Sequence, residues 1–341
     1  MTGRGATLRD VANRARVHPS TVSRALNGST RELVNPATVR RILKAAEALG
    51  YEPNSLARSL KTNRTMTVGM LIPDLTNPVF PPIVRGIEDA LADEGYTLVL
   101  ANTDGEPAKE RRIVGAMRGR QVDGLLLATA LREYPLLDDL AAAGLPVVLV
   151  NRTSEHPTVP SVTPDDHAGM GMAVRHLVSL GHTRIAHVAG PQLMTTGLTR
   201  YNSFLSWMRV AGIEPDPQLV VFADSFKEQA GAAACEELLG RGADFTAIVA
   251  ANDLLALGCY DALHAQQLAV PENVSVVGHN DIPFADNFGP PLTTVRIPHY
   301  EIGVKAAQLM LEALRSRSAS LVAVHLTPSF VLRASTAAPR G

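Results

Sequence analysis

Ser20, Thr21, Ser23 and Arg24 put three hydroxyls and a guanidinium on one side of a short stretch whose other side is Val22, Ala25 and Leu26. Apolar residues at that spacing face a core and leave the polar groups turned to solvent. A single helix is narrow enough for a DNA major groove. There, an arginine can donate bidentately to guanine, and hydroxyls suit base edges or phosphates. The surrounding charge agrees. Residues 1–65 hold twelve Lys/Arg against four Asp/Glu, a net of +8, whereas the whole 341-residue chain carries −1 and residues 66–341 therefore −9. A basic head on an acidic body suits a polyanion-binding module joined to a part that stays off polyanions.

A second set of reactive side chains falls just after short apolar runs. Asp74, Asn77 and Phe80 follow Thr67–Ile72, and Asn151 follows Leu145–Val150. Met194, Thr196 and Arg200 come after Ile185–Ala189, Phe226 after Gln218–Phe222, Asn252-Asp253 after Ala247–Ala250, and Asn280-Asp281 after Val274–Gly278. Arg200 is a fork for hydroxyls or a carboxylate. Each of these residues is also a candidate helix cap or packing residue, and capping is expected of Asp253 and Thr196.

The elements that must position the first set are three helices. Thr7 is an N-cap with Asp10 three residues on, and Leu8, Val11, Ala12 and Ala15 form the apolar face of the first. After a tight break at Ala15–His18, Pro19 opens the second at a position where its missing N–H costs nothing, and Asn27-Gly28 ends it. Asn35 and Pro36 start the third, which runs through Val39, Ile42, Leu43, Ala46 and Leu49 to Gly50. Two short helices with a tight turn, closed by a third, describe a helix-turn-helix.

The second set is positioned by an alternation of strands and helices. The helices are read at Ile83–Gly95, Lys109–Arg120, Ala168–Leu180, Arg200–Ala211, Lys227–Leu239 and Asp253–Gln266, with further strands at Tyr96–Ala101 and Gly124–Ala128. Such alternation implies parallel sheets, here in two similar rounds, with ligands beyond the carboxyl ends of the strands and hence in a cleft between two lobes.

Thr7-Leu8-Arg9-Asp10-Val11-Ala12, Val17, Ser20 through Gly28, and Leu49-Gly50-Tyr51-Glu52-Pro53-Asn54 with Ala57-Arg58-Ser59-Leu60 together resemble the LacI/GalR family of transcription regulators. The resemblance implies an all-α helix-turn-helix head plus an α/β periplasmic-binding-protein-like body of two doubly wound parallel-sheet subdomains. It divides the chain into a DNA-binding domain at 1–53, a hinge helix and linker at 54–65, and an effector-binding and dimerisation domain at 66–341. The body crosses between an N-subdomain of about 66–162 and 292–323 and a C-subdomain of about 163–291 and 324–338. Leu292-Thr293-Thr294-Val295 and Leu332-Arg333-Ala334-Ser335-Thr336 match the later crossings.

By the same resemblance, Pro19, Ser20 and Arg24 face base edges, and Thr7, His18, Thr21, Ser23, Asn27, Asn54, Ala57, Leu60 and Lys61 complete the DNA-binding set. Leu60 takes the position of a minor-groove wedge, and Leu56 the one that meets its twin across a dimer axis. Asp74, Phe80, Asn151, Met194, Thr196, Arg200, Phe226, Asn252 and Asn280 are the implied effector-binding residues. Three departures stand out. His18 replaces the Ser that usually caps the recognition helix, the Gly28–Val34 loop is about two residues longer than usual, and Asn280 stands where an Asp commonly accepts sugar hydroxyls.

The implied function is a cytoplasmic, ligand-responsive regulator, a repressor before an activator, that binds a pseudopalindromic operator as a homodimer built through the body near the helix from Phe80. No C-terminal leucine heptad points to a tetramer. The effector is sugar-like or anionic. Aromatics are 4% of the chain, leaving Phe80, Phe226 and Trp207 for stacking on a sugar ring.

Other classes fare worse. A transport-type binding protein needs an export signal and no basic head, and no signal peptide or eighteen-residue apolar run is present. An enzyme needs a nucleophile–base or metal set. Cys235 and Cys259 lack zinc spacing and read as small buried hydrophobes, the ten His are scattered, and HExxH, GxxxxGK and GxSxG are missing. Gly169-Met170-Gly171 falls inside a helix and lacks a third glycine in register, so no dinucleotide cofactor, and no metal, is expected.

Overall fold

The computed structural model describes residues 6–26, 28–51, 64–155, 158–316 and 321–340. They form two compact units, Met1–Thr65 and Met66–Gly341. Asn27 and the hinge positions Asn54, Leu56, Ala57, Leu60 and Lys61 lie outside the described residues.

The head contains α1 (Leu8–Ala15), α2 (Pro19–Leu26), a 3-10 segment (Gly28–Leu33) and α3 (Pro36–Ala48). Thr7 and Asp10 make a reciprocal capping box on α1, and Arg16 turns the chain in the left-handed region at φ 52°. Val11, Ala12, Ala15, Val22, Ala25, Val34, Val39, Ile42, Ala45 and Ala46 make the core. Its many alanines let three short helices approach closely. Leu43, expected on the inner face of α3, is exposed, and Ala45 takes its place.

The body has two six-stranded sheets. The first runs β11-β5-β4-β3-β1-β2, with β1 (Thr67–Ile72), β2 (Thr97–Asn102), β3 (Gly124–Leu127), β4 (Val147–Val150), β5 (Ser161–Pro164) and β11 (Ala323–Leu326), all parallel. Around it lie α4 (Phe80–Ala92), α5 (Pro107–Gly119), α6 (Leu136–Ala142) and α11 (His299–Ser316). The second runs β12-β10-β9-β8-β6-β7, with β6 (Ile185–Ala189), β7 (Val220–Phe222), β8 (Ala247–Ala250), β9 (Ser275–Asn280), β10 (Thr293–Arg296) and β12 (Ser329–Val331); only β12 is antiparallel. Its helices are α7 (Asp166–Ser179), α8 (Thr195–Val210), α9 (Glu228–Gly240) and α10 (Asp253–Ala265). Central strands such as β3, β4 and β8 are buried on both faces, which explains their continuous apolar runs.

Several boundaries differ from the sequence expectation for local reasons. α4 starts at Phe80 rather than Ile83, because Pro81 and Pro82 are tolerated in a first turn. The strand expected at Gln218–Phe222 is only Val220–Phe222, because Pro217 opens a 3-10 turn capped by the Asp216 carboxylate. The crossings also move. Sequence matching places them near 162, 291 and 323. In the sheets, β5 still belongs to the first lobe, β10 pairs with β9 in the second (Thr293 opposite Val277), and β11 returns to the first. The chain therefore crosses just after residue 164, between 296 and 299, and between 326 and 329.

Candidate functional site

In the head, α2 presents Ser20, Ser23 and Arg24 exposed, with Pro19 and Thr21 half-buried, while Val22 and Ala25 are fully buried. His18 is not a lost cap. Its Nδ1 accepts the Ser20 backbone N–H at 3.2 Å and lies 2.8 Å from the Ser20 hydroxyl, so the ring occupies the capping role of a Ser. The longer loop has a use as well. The Thr30 hydroxyl donates to the Arg24 carbonyl and Arg31 Nε to the Ala25 carbonyl, each at 3.0 Å, so the 3-10 segment satisfies the end of α2. Arg41 of α3 does the same for Ala15 at the end of α1, at 2.8 Å. Thr7 is exposed but bound up with Asp10 in the capping box.

In the body, the strand order reverses between β1 and β3 in one sheet and between β6 and β8 in the other. The carboxyl ends at such points are where open parallel sheets hold ligands. The lobes meet there. Arg132, after β3, donates to the Gln192 carbonyl at 3.1 Å, and its N–H to the Leu193 carbonyl at 3.0 Å. The Thr195 hydroxyl accepts from the Thr153 N–H at 3.2 Å and donates to the Thr153 carbonyl at 3.0 Å. Lys227 Nζ lies 3.8 Å from Asp74, whose carboxyl is drawn below the usual range, against burial, by Thr76 and Lys227.

Arg200 is 4% exposed and already neutralised. Its Nε donates to Asp166 at 2.8 Å and a terminal nitrogen to the Ala251 carbonyl at 2.7 Å, while its guanidinium lies 5.9 Å from the Phe226 ring centre. Burial alone would raise the Asp166 carboxyl, but Arg200, with His279 at 3.2 Å, carries it below the usual carboxylate range. Thr196 lies one turn earlier on α8, 5% exposed; its hydroxyl has no partner, and the expected capping role is absent. The N-cap of α8 is Met194, half-buried and with no side-chain cap.

The remaining expected residues divide. Asn151 and Asn280 are buried at strand ends in the left-handed half of backbone space, at φ 63° and 125°, a conformation Asn tolerates better than branched residues. Asn252 is used structurally: its Oδ1 accepts the Leu255 N–H at 2.8 Å as the cap of α10, and its Nδ2 donates to the Phe226 carbonyl at 3.2 Å. Asp253, expected as a cap, instead accepts from Ile282 N–H at 2.8 Å and from the Thr294 hydroxyl at 2.5 Å. Phe80 is 1% exposed in the core. Trp207 is committed to α7, donating to the His167 carbonyl at 2.9 Å with Arg175 over its ring. Phe226 is half-exposed beside Arg200.

Sequence spacing misses a cluster on the first lobe. Glu110 of α5 accepts short hydrogen bonds from Thr129 and Tyr134, and burial lifts its carboxyl above the usual range despite them. Arg152, the residue after Asn151, is 6% exposed with its Nε unpartnered, and Ser154 beside it has an unpartnered hydroxyl. Burial, with the charge of Arg200, lowers Arg152 to about 10. A cation directly after a strand end was the available signal.

Residues 65–331 match the family of periplasmic binding proteins and the sugar-binding domain of the LacI family, and residues 7–54 match the bacterial regulatory proteins of the lacI family. The chain belongs to the LacI family and is a ligand-responsive, DNA-binding transcriptional regulator. Among its relatives, the transcriptional regulator CelR of Thermobifida fusca is 37% identical over 97% of this chain and 98% of that protein. The ribose operon repressor of Escherichia coli (strain K12) is 33% identical over 97% and 99%. In three dimensions the chain resembles a CelR–cellobiose complex (TM-score 0.74, 34% identity, covering 97% and 99%). It also resembles the Lac repressor dimer bound to operator and the anti-inducer ONPF (TM-score 0.86, 26% identity, covering 98% and 100%). Among the described residues no helix is long and apolar enough to cross a membrane.

Proposed function

We propose that the chain acts in the cytoplasm as a homodimeric repressor, with α2 set into the major groove of each half of a pseudopalindromic operator and a small polar metabolite bound between the lobes. One observation carries this: a single chain joins a helix with an exposed Ser20–Ser23–Arg24 face to a body that collects unpartnered buried polar groups at facing strand ends. Arg24 and Ser20 act on base edges, and Thr7, His18, Thr21 and Ser23 on the backbone or as supports for α2. One head spans few base pairs, so twofold pairing supplies both affinity and register. Arg152, Ser154, Thr196, Arg200, Phe226 and Asn280 form the effector site, while Asn252 and Phe80 support it from behind. Relatives bound to cellobiose or ribose favour a sugar or a sugar derivative as the effector.

The switch is the angle between lobes. The Arg132, Thr153–Thr195 and Asp74–Lys227 contacts form only when the lobes are together, and a ligand bound by both lobes adds to them. A genome-wide binding map of the full-length protein, followed by band-shift titration of the recovered fragments with sugars and sugar acids, tests the reading. Recovered sites without twofold symmetry, or affinity unmoved by every compound, would count against it.

A further inference from the structure

The two guanidiniums of the cleft are in opposite electrostatic states. Arg200 is matched by Asp166 at 2.8 Å, and that pair is internally neutral. Arg152 is fully buried in the first lobe, and no carboxylate of the described residues lies within ion-pair distance of it. Glu110 attracts it from beyond ion-pair distance, and one of the Glu110 oxygens already takes both the Thr129 and the Tyr134 hydroxyls. A buried cation without a partner carries a large desolvation penalty, which a partnering anion removes.

We propose that Arg152 is the anion-receiving group of the cleft and that the effector carries a carboxylate or phosphate, held by Arg152 with the hydroxyls of Ser154 and Thr196. The Thr153–Thr195 hydrogen bonds bring the Arg152–Ser154 loop against the first turn of α8, where Thr196 lies. Both hydroxyls are buried and unpartnered, as is Arg152 Nε, so the three donors come from two lobes and share no protein acceptor. Arg200 repels Arg152, and an anion between the lobes converts that repulsion into a reason to close. This rests on the effector-site reading above and narrows its ligand class to acidic compounds, such as sugar acids or sugar phosphates.

The test uses full-length protein at fixed ionic strength, with melting temperature read against D-glucose, D-gluconate, D-glucose 6-phosphate and inorganic phosphate. Wild type is expected to be stabilised by at least one anion at a concentration about tenfold below that at which glucose acts. Arg152→Gln is expected to be no less stable than wild type without ligand, since it removes an uncompensated charge, and to lose the anion response, while Arg152→Lys keeps part of it. Anions acting no better than glucose, an anion response that survives Arg152→Gln, or a ligand-free Arg152→Gln that melts well below wild type would each overturn the assignment. Operator release by a neutral sugar, alike in wild type and Arg152→Gln, overturns the anion assignment and leaves the sensing role standing. An Arg152-dependent anion response that never alters affinity for operator fragments does the reverse.

Discussion

The Nδ1 of His18 accepts the Ser20 N–H, so the start of α2 depends on a side chain that solvent can reach. His18→Ala is expected to cost about 1 kcal/mol of helix stability, and His18→Ser to restore it. Hydrogen exchange of the α2 amides in the full-length protein reads this, with unchanged exchange in the Ala variant speaking against a cap. Arg24→Ala is expected to relax base preference at one operator position by about 1–3 kcal/mol, measured by competition between single-base operator variants. Asp166 is the matching case in the body. Asp166→Ala leaves Arg200 buried and unpaired, and a loss of about 3–5 kcal/mol in denaturant unfolding is expected.

At the scale of elements, glycines set how closely helices pack. A Cβ at Gly303 of α11 would lie 2.1 Å from the Ile83 carbonyl oxygen, and one at Gly86 of α4 2.1 Å from the Tyr300 carbonyl oxygen. Both obstacles are backbone, which cannot swing aside. Gly303→Ala is therefore expected to destabilise the body by about 1–3 kcal/mol. Gly115, mid-way along α5 with nothing within 4 Å of an added Cβ, should behave oppositely, Gly115→Ala stabilising by about 0.5–1 kcal/mol. Thermal unfolding of the two variants side by side separates the effect of close helix approach from that of glycine flexibility. The mutual approach of α4 and α11, which lie more than 200 residues apart in the chain, is invisible to local periodicity. The helix α11 itself is written in the local spacing of Ile302, Ala306, Leu309, Met310 and Ala313; its partner is not.

At the scale of the molecule, residues 66–341 form a compact unit, and this fragment is expected to bind ligand while failing to bind operator. Its stability should also depend on pH in a definite direction. Burial, with Arg200 adding to it, lowers His187 and His279 to about 4 and His299 to about 3, so the fold favours their neutral forms. The stability they contribute is present above about 6.5 and is lost as pH falls towards 4. Asp253, raised by burial to about 6, runs the other way, its contribution lost as pH rises through 6. His176 and His182, lowered by burial, and the depressed Asp74 and Asp166 act in the same direction as the first three histidines, while Glu110 acts with Asp253. The balance predicts a melting temperature of the body that falls between pH 6.5 and 4, and calorimetry showing it flat or rising would contradict it.

Much of this was written locally. Capping residues, apolar spacing and the break after Ala15 determined the three head helices, and continuous apolar runs determined most strands, because these depend on neighbours a few residues away. The ends of those runs also marked Asn151, Thr196 and Arg200 as facing a common space. Tertiary structure decided what each could still do there. Arg200 is paired with Asp166 from 34 residues away and with a carbonyl from 51, Asn252 is consumed by capping, and Arg152 is left without an acid. Whether a buried charge is matched depends on which strands close beside it, and that is a property of the folded sheets rather than of any segment.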